Sequence, residues 1–117
     1  MTSYELSRIA AQAAVKKKGM NVVIMDLQEI SLIADYFVIC SGNNINQVQA
    51  ICEFINEEVK LAGGQPALRI EGLKEGRWIL MDFGGVVVHV FQEEERLYYN
   101  LERLWGDAKF TYLREQE

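Results

Sequence analysis

At 117 residues, half of them hydrophobic and a quarter charged, the chain has the length of one domain and the apolar content for an ordinary core. That composition excludes a disordered chain and a small scaffold dependent on metal or disulfide staples. A net charge of −5 argues against binding nucleic acid through phosphate contacts, and suits a basic protein partner instead.

The first element opens with TSYE, where Thr2 and Glu5 have capping-box spacing. Leu6, Ile9, Ala10, Ala13 and Ala14 then form an apolar stripe at helical spacing. KKKG closes that helix, with three lysines at the negative end of the dipole and Gly19 as the stop. NVVIMDL (21–27) predicts a strand, followed by a polar connection, and DYFVICSG (35–42) predicts a second strand. Asn43 or Asn44 caps the next helix, which turns Ile45, Val48, Ile51, Cys52, Ile55 and Val59 inward and ends at Gly63 and Gly64. A short strand over 67–71 precedes RWILMDF and VVVHVF, two strands joined by Gly84-Gly85, a two-residue hairpin signal. Glu93 to Glu95 open a last helix with Leu97, Leu101, Leu104 and Trp105 on one side and Gly106 at its end. The order predicts an α/β two-layer domain over residues 1–108, with a mixed β-sheet and helices mainly on one face. Residues 109–117 are expected to form a loosely ordered tail.

His89 is the single histidine, and it stands in an otherwise apolar strand. With Gly84 and Gly85 as the loop, Trp78 pairs with Phe91, Leu80 with His89 and Asp82 with Val87. One face of the hairpin is then wholly apolar and belongs under the helices. The other carries Trp78, Leu80, Asp82, Val87, His89 and Phe91. Left open to solvent, that face has the composition of a protein-binding surface, with Asp82 and His89 as diagonal neighbours.

Chemistry-bearing patterns are few. Cys40, His89 and Asp82 are a candidate Cys-His-Asp set, but Cys40 lies in an apolar strand rather than an electropositive, exposed position. SGNN lacks the glycines of a dinucleotide fingerprint and the lysine of a P-loop, so it reads as helix capping. Asp82 has no acid two residues away on its strand for metal-assisted phosphoryl transfer. The cysteines form no C-x-x-C and one histidine completes no zinc site, so no metal or cofactor is expected. Buried thiols of a reducing compartment, and the absence of an apolar leader or span, predict a cytoplasmic protein with no membrane role.

The strings ADYFVICSGNN (34–44), QVQAICEFINEE (47–58) and the stretch 71–108, with VVVHVF and RLYYNLERLW, resemble the Iojap family, the ribosomal silencing factors also called RsfS or YbeB. The resemblance covers residues 5–108 and implies a nucleotidyltransferase-like fold without catalytic carboxylates, and no enzyme activity. It implies binding to the large ribosomal subunit through its protein L-fourteen, a block on small-subunit joining that represses translation, and a tendency to form homodimers. No direct sequence-specific binding of nucleic acid is implied. Carried onto this chain, Trp78, Leu80 and Phe91 would supply the desolvated anchor, and Asp82 and the glutamates the steering charge. His89 would bond across the interface or orient Asp82, with Tyr98 and Tyr99 as the next contacts. Family members commonly carry an acid where Gly85 stands. A large-subunit assembly factor, and a nucleotidyltransferase-like or Cys-His enzyme, are the competing readings.

Overall fold

In the computed structural model, which describes residues 1–114, Thr2 caps the first helix as its spacing to Glu5 predicts. The Glu5 amide donates to Thr2 Oγ1 at 3.0 Å, and the Thr2 amide donates to Glu5 Oε1 at 2.8 Å. The bond from the Thr2 backbone holds the Glu5 carboxyl below its ordinary value. Helix α1 (Ser3–Lys16) closes when the Lys18 amide donates to Val15 O and the Gly19 amide to Ala14 O. The left-handed residue of this closure is Lys18, and Gly19 is needed for a different reason: a Cβ there would meet Ala14 O at 2.9 Å.

Strands β1 (Met20–Asp26) and β2 (Tyr36–Gly42) lead to α2 (Ile45–Leu61). Asn44 is the α2 cap, accepting from the Gln47 amide at 2.9 Å. Then come β3 (Arg69–Glu71), β4 (Trp78–Asp82), β5 (Val86–Gln92), α3 (Glu93–Tyr99), α4 (Leu101–Leu104) and β6 (Lys109–Tyr112). The strands form one sheet in the order β3-β4-β5-β2-β1-β6. The β2–β5 pair is parallel and the other neighbours are antiparallel, so the sheet is mixed as expected.

The hairpin has the predicted register. Trp78 pairs with Phe91, Leu80 with His89 and Asp82 with Val87, and the Phe83 amide donates to Val86 O across the Gly84-Gly85 loop at 2.9 Å. Period-two alternation then puts Ile79, Met81, Val86, Val88 and Val90 beneath α1 and α2. All five are buried, each worth about 1.5–3 kcal/mol relative to exposure. Helix α1 meets this layer with Ala10, Ala11, Ala13 and Ala14, small side chains that let it lie close to the sheet and to α2.

Four expectations are corrected. The single last helix is two: Asn100 adopts a left-handed conformation (φ 47°) and breaks it into α3 and α4. Leu97 and Leu104 consequently face solvent, 71% and 72% exposed, rather than a common buried side. The expected tail contains β6, which pairs with β1 from Val23–Tyr112 to Asp26–Lys109; residues 115–117 of that tail lie outside the described residues. Ile45, expected inward on α2, is exposed at the first turn. The β1–β2 connection, expected to be polar, presents Ile30, Leu32 and Ile33 to solvent.

Candidate partner-binding site

The broken C-terminal helix sets what the second sheet face exposes. Arg96 on α3 reaches under the break, where its Nη1 donates to Ser41 Oγ at 3.0 Å and to Met20 O at 3.3 Å. Its Nη2 and Nε donate to Glu102 Oε2 at 3.1 and 3.3 Å. The guanidinium is only 6% exposed, so a buried, multiply bonded charge ties the hook formed by α3 and α4 to the ends of β1 and β2. From there Leu101 and Trp105 pack over a second core of Val23, Met25, Leu27, Ile39 and Phe91. Trp105 meets Phe37 edge-on at 5.9 Å. The hook thus covers the β1–β2 half of this face. Over β4 and β5, Trp78, Leu80, Asp82 and Val87 stay half-buried.

Trp78 is the centre of the open half. Its ring stacks on Phe91 at 4.9 Å and packs against Tyr99 at 4.6 Å. Its Nε1–H donates to His89 Nδ1 at 3.1 Å. The remaining His89 proton therefore sits on Nε2, and the ring is neutral. Burial, with 4% of the residue exposed, pushes the imidazole down to about 4. Phe37 stands edge-on to the same ring at 4.6 Å, and among the described residues Nε2 has no hydrogen-bond partner.

The seven site residues inferred from sequence divide accordingly. Trp78, Leu80 and Asp82 lie together on the half-open face, and Tyr99 flanks them from α3. Tyr98 is 82% exposed and meets Tyr99 edge-on at 5.1 Å. His89 and Phe91 depart from the expectation of an exposed face: both are buried, His89 between the Phe37 and Trp78 rings and Phe91 under the Trp78 ring. His89 does not orient Asp82 either; its Nδ1 accepts from Trp78 Nε1, so it positions the indole. Asp82 instead accepts from the Gly84 amide at 2.8 Å and pairs with Arg69 at 3.6 Å, which fixes its carboxylate beside the turn.

Sequence reasoning missed Phe37 and the exposed Leu97 and Leu104 as parts of this side of the molecule. It also missed Leu32 and Ile33, whose connection runs beside the hairpin turn: the Asp35 amide donates to Gly85 O at 2.8 Å. The signal was present, as three apolar residues in four without helix or strand periodicity. Gly85 itself is enclosed. A Cβ there would collide with Ser3 Oγ and come within 2.9 Å of Asp35 Oδ2, so this turn has no room for an acidic side chain unless Ser3 and Asp35 move.

The Cys-His-Asp set is not assembled. Ile39 is the β2 residue paired with His89, which places Cys40 on the opposite, helix-side face. Cys40 is fully buried and its thiol is pushed up to about 12 by burial; Cys52 is pushed up as well. At the start of α2 the Asn43 amide donates to Gln47 Oε1 and the Gln47 amide to Asn44, so these donors serve the cap. Among the described residues no group of three or more acids, cysteines and histidines could hold a metal, and no helix is long and apolar enough to cross a membrane.

A family model described as "Ribosomal silencing factor during starvation" (RsfS) matches residues 1–117. The ribosomal silencing factor RsfS of Bacillus subtilis is 48% identical over 113 residues, covering 97% of this chain and 95% of the relative. A crystal structure of a protein from Chromobacterium violaceum superposes with a TM-score of 0.86 at 30% identity, covering 100% of this chain and 98% of that one. A mouse protein named "Mitochondrial assembly of ribosomal large subunit protein 1" is 36% identical over 78 residues, covering 65% of this chain and 34% of the mouse protein.

Proposed function

The chain belongs to the RsfS family of ribosomal silencing factors, and on that premise we propose that it docks on the large ribosomal subunit through the Trp78 face and excludes the small subunit by its bulk. The partner in this reading is the large-subunit protein L-fourteen, and the place of action is the cytoplasm. The observation that carries it is the state of Trp78. The indole is half-open, yet already held by Phe91, Tyr99 and the His89 acceptor. An aromatic anchor fixed before binding loses little rotamer entropy on docking, which is the property of an interface hot spot. Leu80 extends the apolar centre and Asp82 supplies charge at its edge; the net charge of −5 steers the domain toward a basic partner. His89 and Phe91 act from below, as supports of the anchor rather than contacts. Tyr98 and Tyr99 form the rim.

No catalytic step is needed: occlusion requires affinity and volume. Co-sedimentation with isolated subunits tests the proposal, comparing wild type with Trp78→Ala/Asp82→Lys of verified fold. Wild type should travel with the large subunit alone, and the variant should lose at least about tenfold in affinity. Equal binding by both would sink the assignment of this face; no binding to either subunit would sink the function. A homodimer is part of the same reading, with sedimentation equilibrium over a concentration range as its test.

A second reading, assembly of the large subunit, is favoured by the name of the mouse relative. It uses the same docking face. A subunit-joining assay separates the two: bound protein that leaves joining unaffected favours assembly.

A further inference from the structure

On the side of the sheet away from Trp78, a third of the chain's twelve lysines and arginines line one cleft. Arg8, Gln12 and Lys16 reach it from α1, four residues apart and therefore on one helix face. Lys18 comes from the closing turn and Arg114 from just beyond β6. Val15 and Leu113 complete the lining, and both also pack on the helix-side core. The cleft holds about 520 Å³.

This is an odd arrangement for a chain of net charge −5. Among the described residues no carboxylate lines the cleft, and none pairs with Arg8 or Arg114. Glu58 reaches Lys16 Nζ at 3.4 Å from α2, but that lysine remains largely exposed. Like charges gathered in a concavity repel one another and focus a positive potential that a bound anion relieves.

We propose that this cleft is a site for a compact polyphosphate, either free or as the phosphate chain of a nucleotide. Two guanidinium forks suit bidentate phosphate contacts, and a lysine supplies a mobile point charge. Gln12 adds a neutral donor, and Val15 with Leu113 offers an apolar wall to any base or sugar. The volume falls in the range of about 300–1,000 Å³ occupied by small-molecule sites. An extended RNA backbone is the poorer fit, because it needs basic surface continuing beyond the cleft on a protein that is acidic overall. The site is separate from the Trp78 face, so its occupancy and ribosome docking are independently testable.

The experiment is calorimetric titration of the full chain with tripolyphosphate and, separately, with ATP without magnesium, in low salt. Saturable one-to-one binding is expected, weakened at least about tenfold by Arg8→Glu and by Arg114→Glu. Added salt should weaken it further, and Trp78→Ala should leave it unchanged. Tighter binding of ATP identifies a nucleotide as the source of the phosphates, and equal affinities identify the phosphate chain alone. Circular dichroism checks each variant; should Arg8→Glu fail to fold, the exposed Arg114 decides the matter. No saturable binding at about millimolar ligand, or unchanged affinity in the folded charge variants, overturns the proposal. So does an RNA oligomer whose affinity for this cleft rises with its length while tripolyphosphate does not bind.

Discussion

His89 makes stability depend on pH on the acid side of neutrality. In the unfolded chain the imidazole has its ordinary value of 6.5, and in the folded protein burial lowers it to about 4. Above 6.5 both states are neutral and the group contributes nothing to the balance. Below 6.5 the unfolded chain takes up a proton that the folded protein refuses, so stability falls with pH until the folded value is reached. The full loss over that range is about 3 kcal/mol, and about 2 kcal/mol of it has occurred by about pH 5. The side chain lies under Trp78 and Phe37 and is shielded from solvent. Urea unfolding near pH 7.5 and near pH 5 measures the loss directly. His89→Asn is the reference: its side-chain oxygen can still accept from Trp78 Nε1, and it does not titrate in this range. Wild type should lose about 2 kcal/mol more than the variant between the two conditions. Equal losses, within about 0.5 kcal/mol, would refute a neutral imidazole buried under the aromatic layer.

Three other outcomes follow from the geometry. Arg96→Met removes the guanidinium that joins Ser41, Met20 and Glu102, leaving the Glu102 carboxylate without its partner. A loss of about 3 kcal/mol is expected, seen as a melting temperature lower by roughly 10 °C, and Arg96→Met/Glu102→Leu should recover part of it. Gly85→Asp places a second carboxylate against Asp35 and displaces Ser3, costing about 1–2 kcal/mol; Asp35→Asn should return a measurable share in urea titrations. Cys40 and Cys52 should resist a thiol reagent in native buffer and react fully in denaturant, and rapid labelling of the folded protein would contradict their burial.

The elements with local causes were legible in sequence. Thr2 and Glu5 start α1 by hydrogen bonds between residues three apart, and Gly84-Gly85 pins a register that alternation then extends along both strands. The site was half legible. Trp78, Leu80 and Asp82 share a face because strand geometry requires it, and that could be counted from the turn. The burial of His89 and Phe91 could not, since their cover comes from the Phe37 and Trp78 rings and, for Phe91, from the cluster that Leu101 and Trp105 join. Asn100 carried the one local hint, being a residue type that tolerates the left-handed conformation, but the regular spacing of Leu97, Leu101 and Leu104 pointed to an unbroken helix. Leu97 and Leu104 were therefore expected to be buried and are not.

By itself the sequence determined which residues share a strand face, where α1, α2 and the hairpin begin and end, and, through its motifs, the family. These depend on backbone geometry and on bonds spanning a few residues. Tertiary structure alone decided how much of the second face is left open. Arg96 reaches across 55 residues to Ser41, and the strand beyond Trp105 returns to pair with β1, so the hook closes one half of the sheet and leaves Trp78 at the edge of the other. Such long-range closure has no periodicity to read. It arises because a buried guanidinium must find its acceptors and an apolar face must find its cover wherever the chain can supply them.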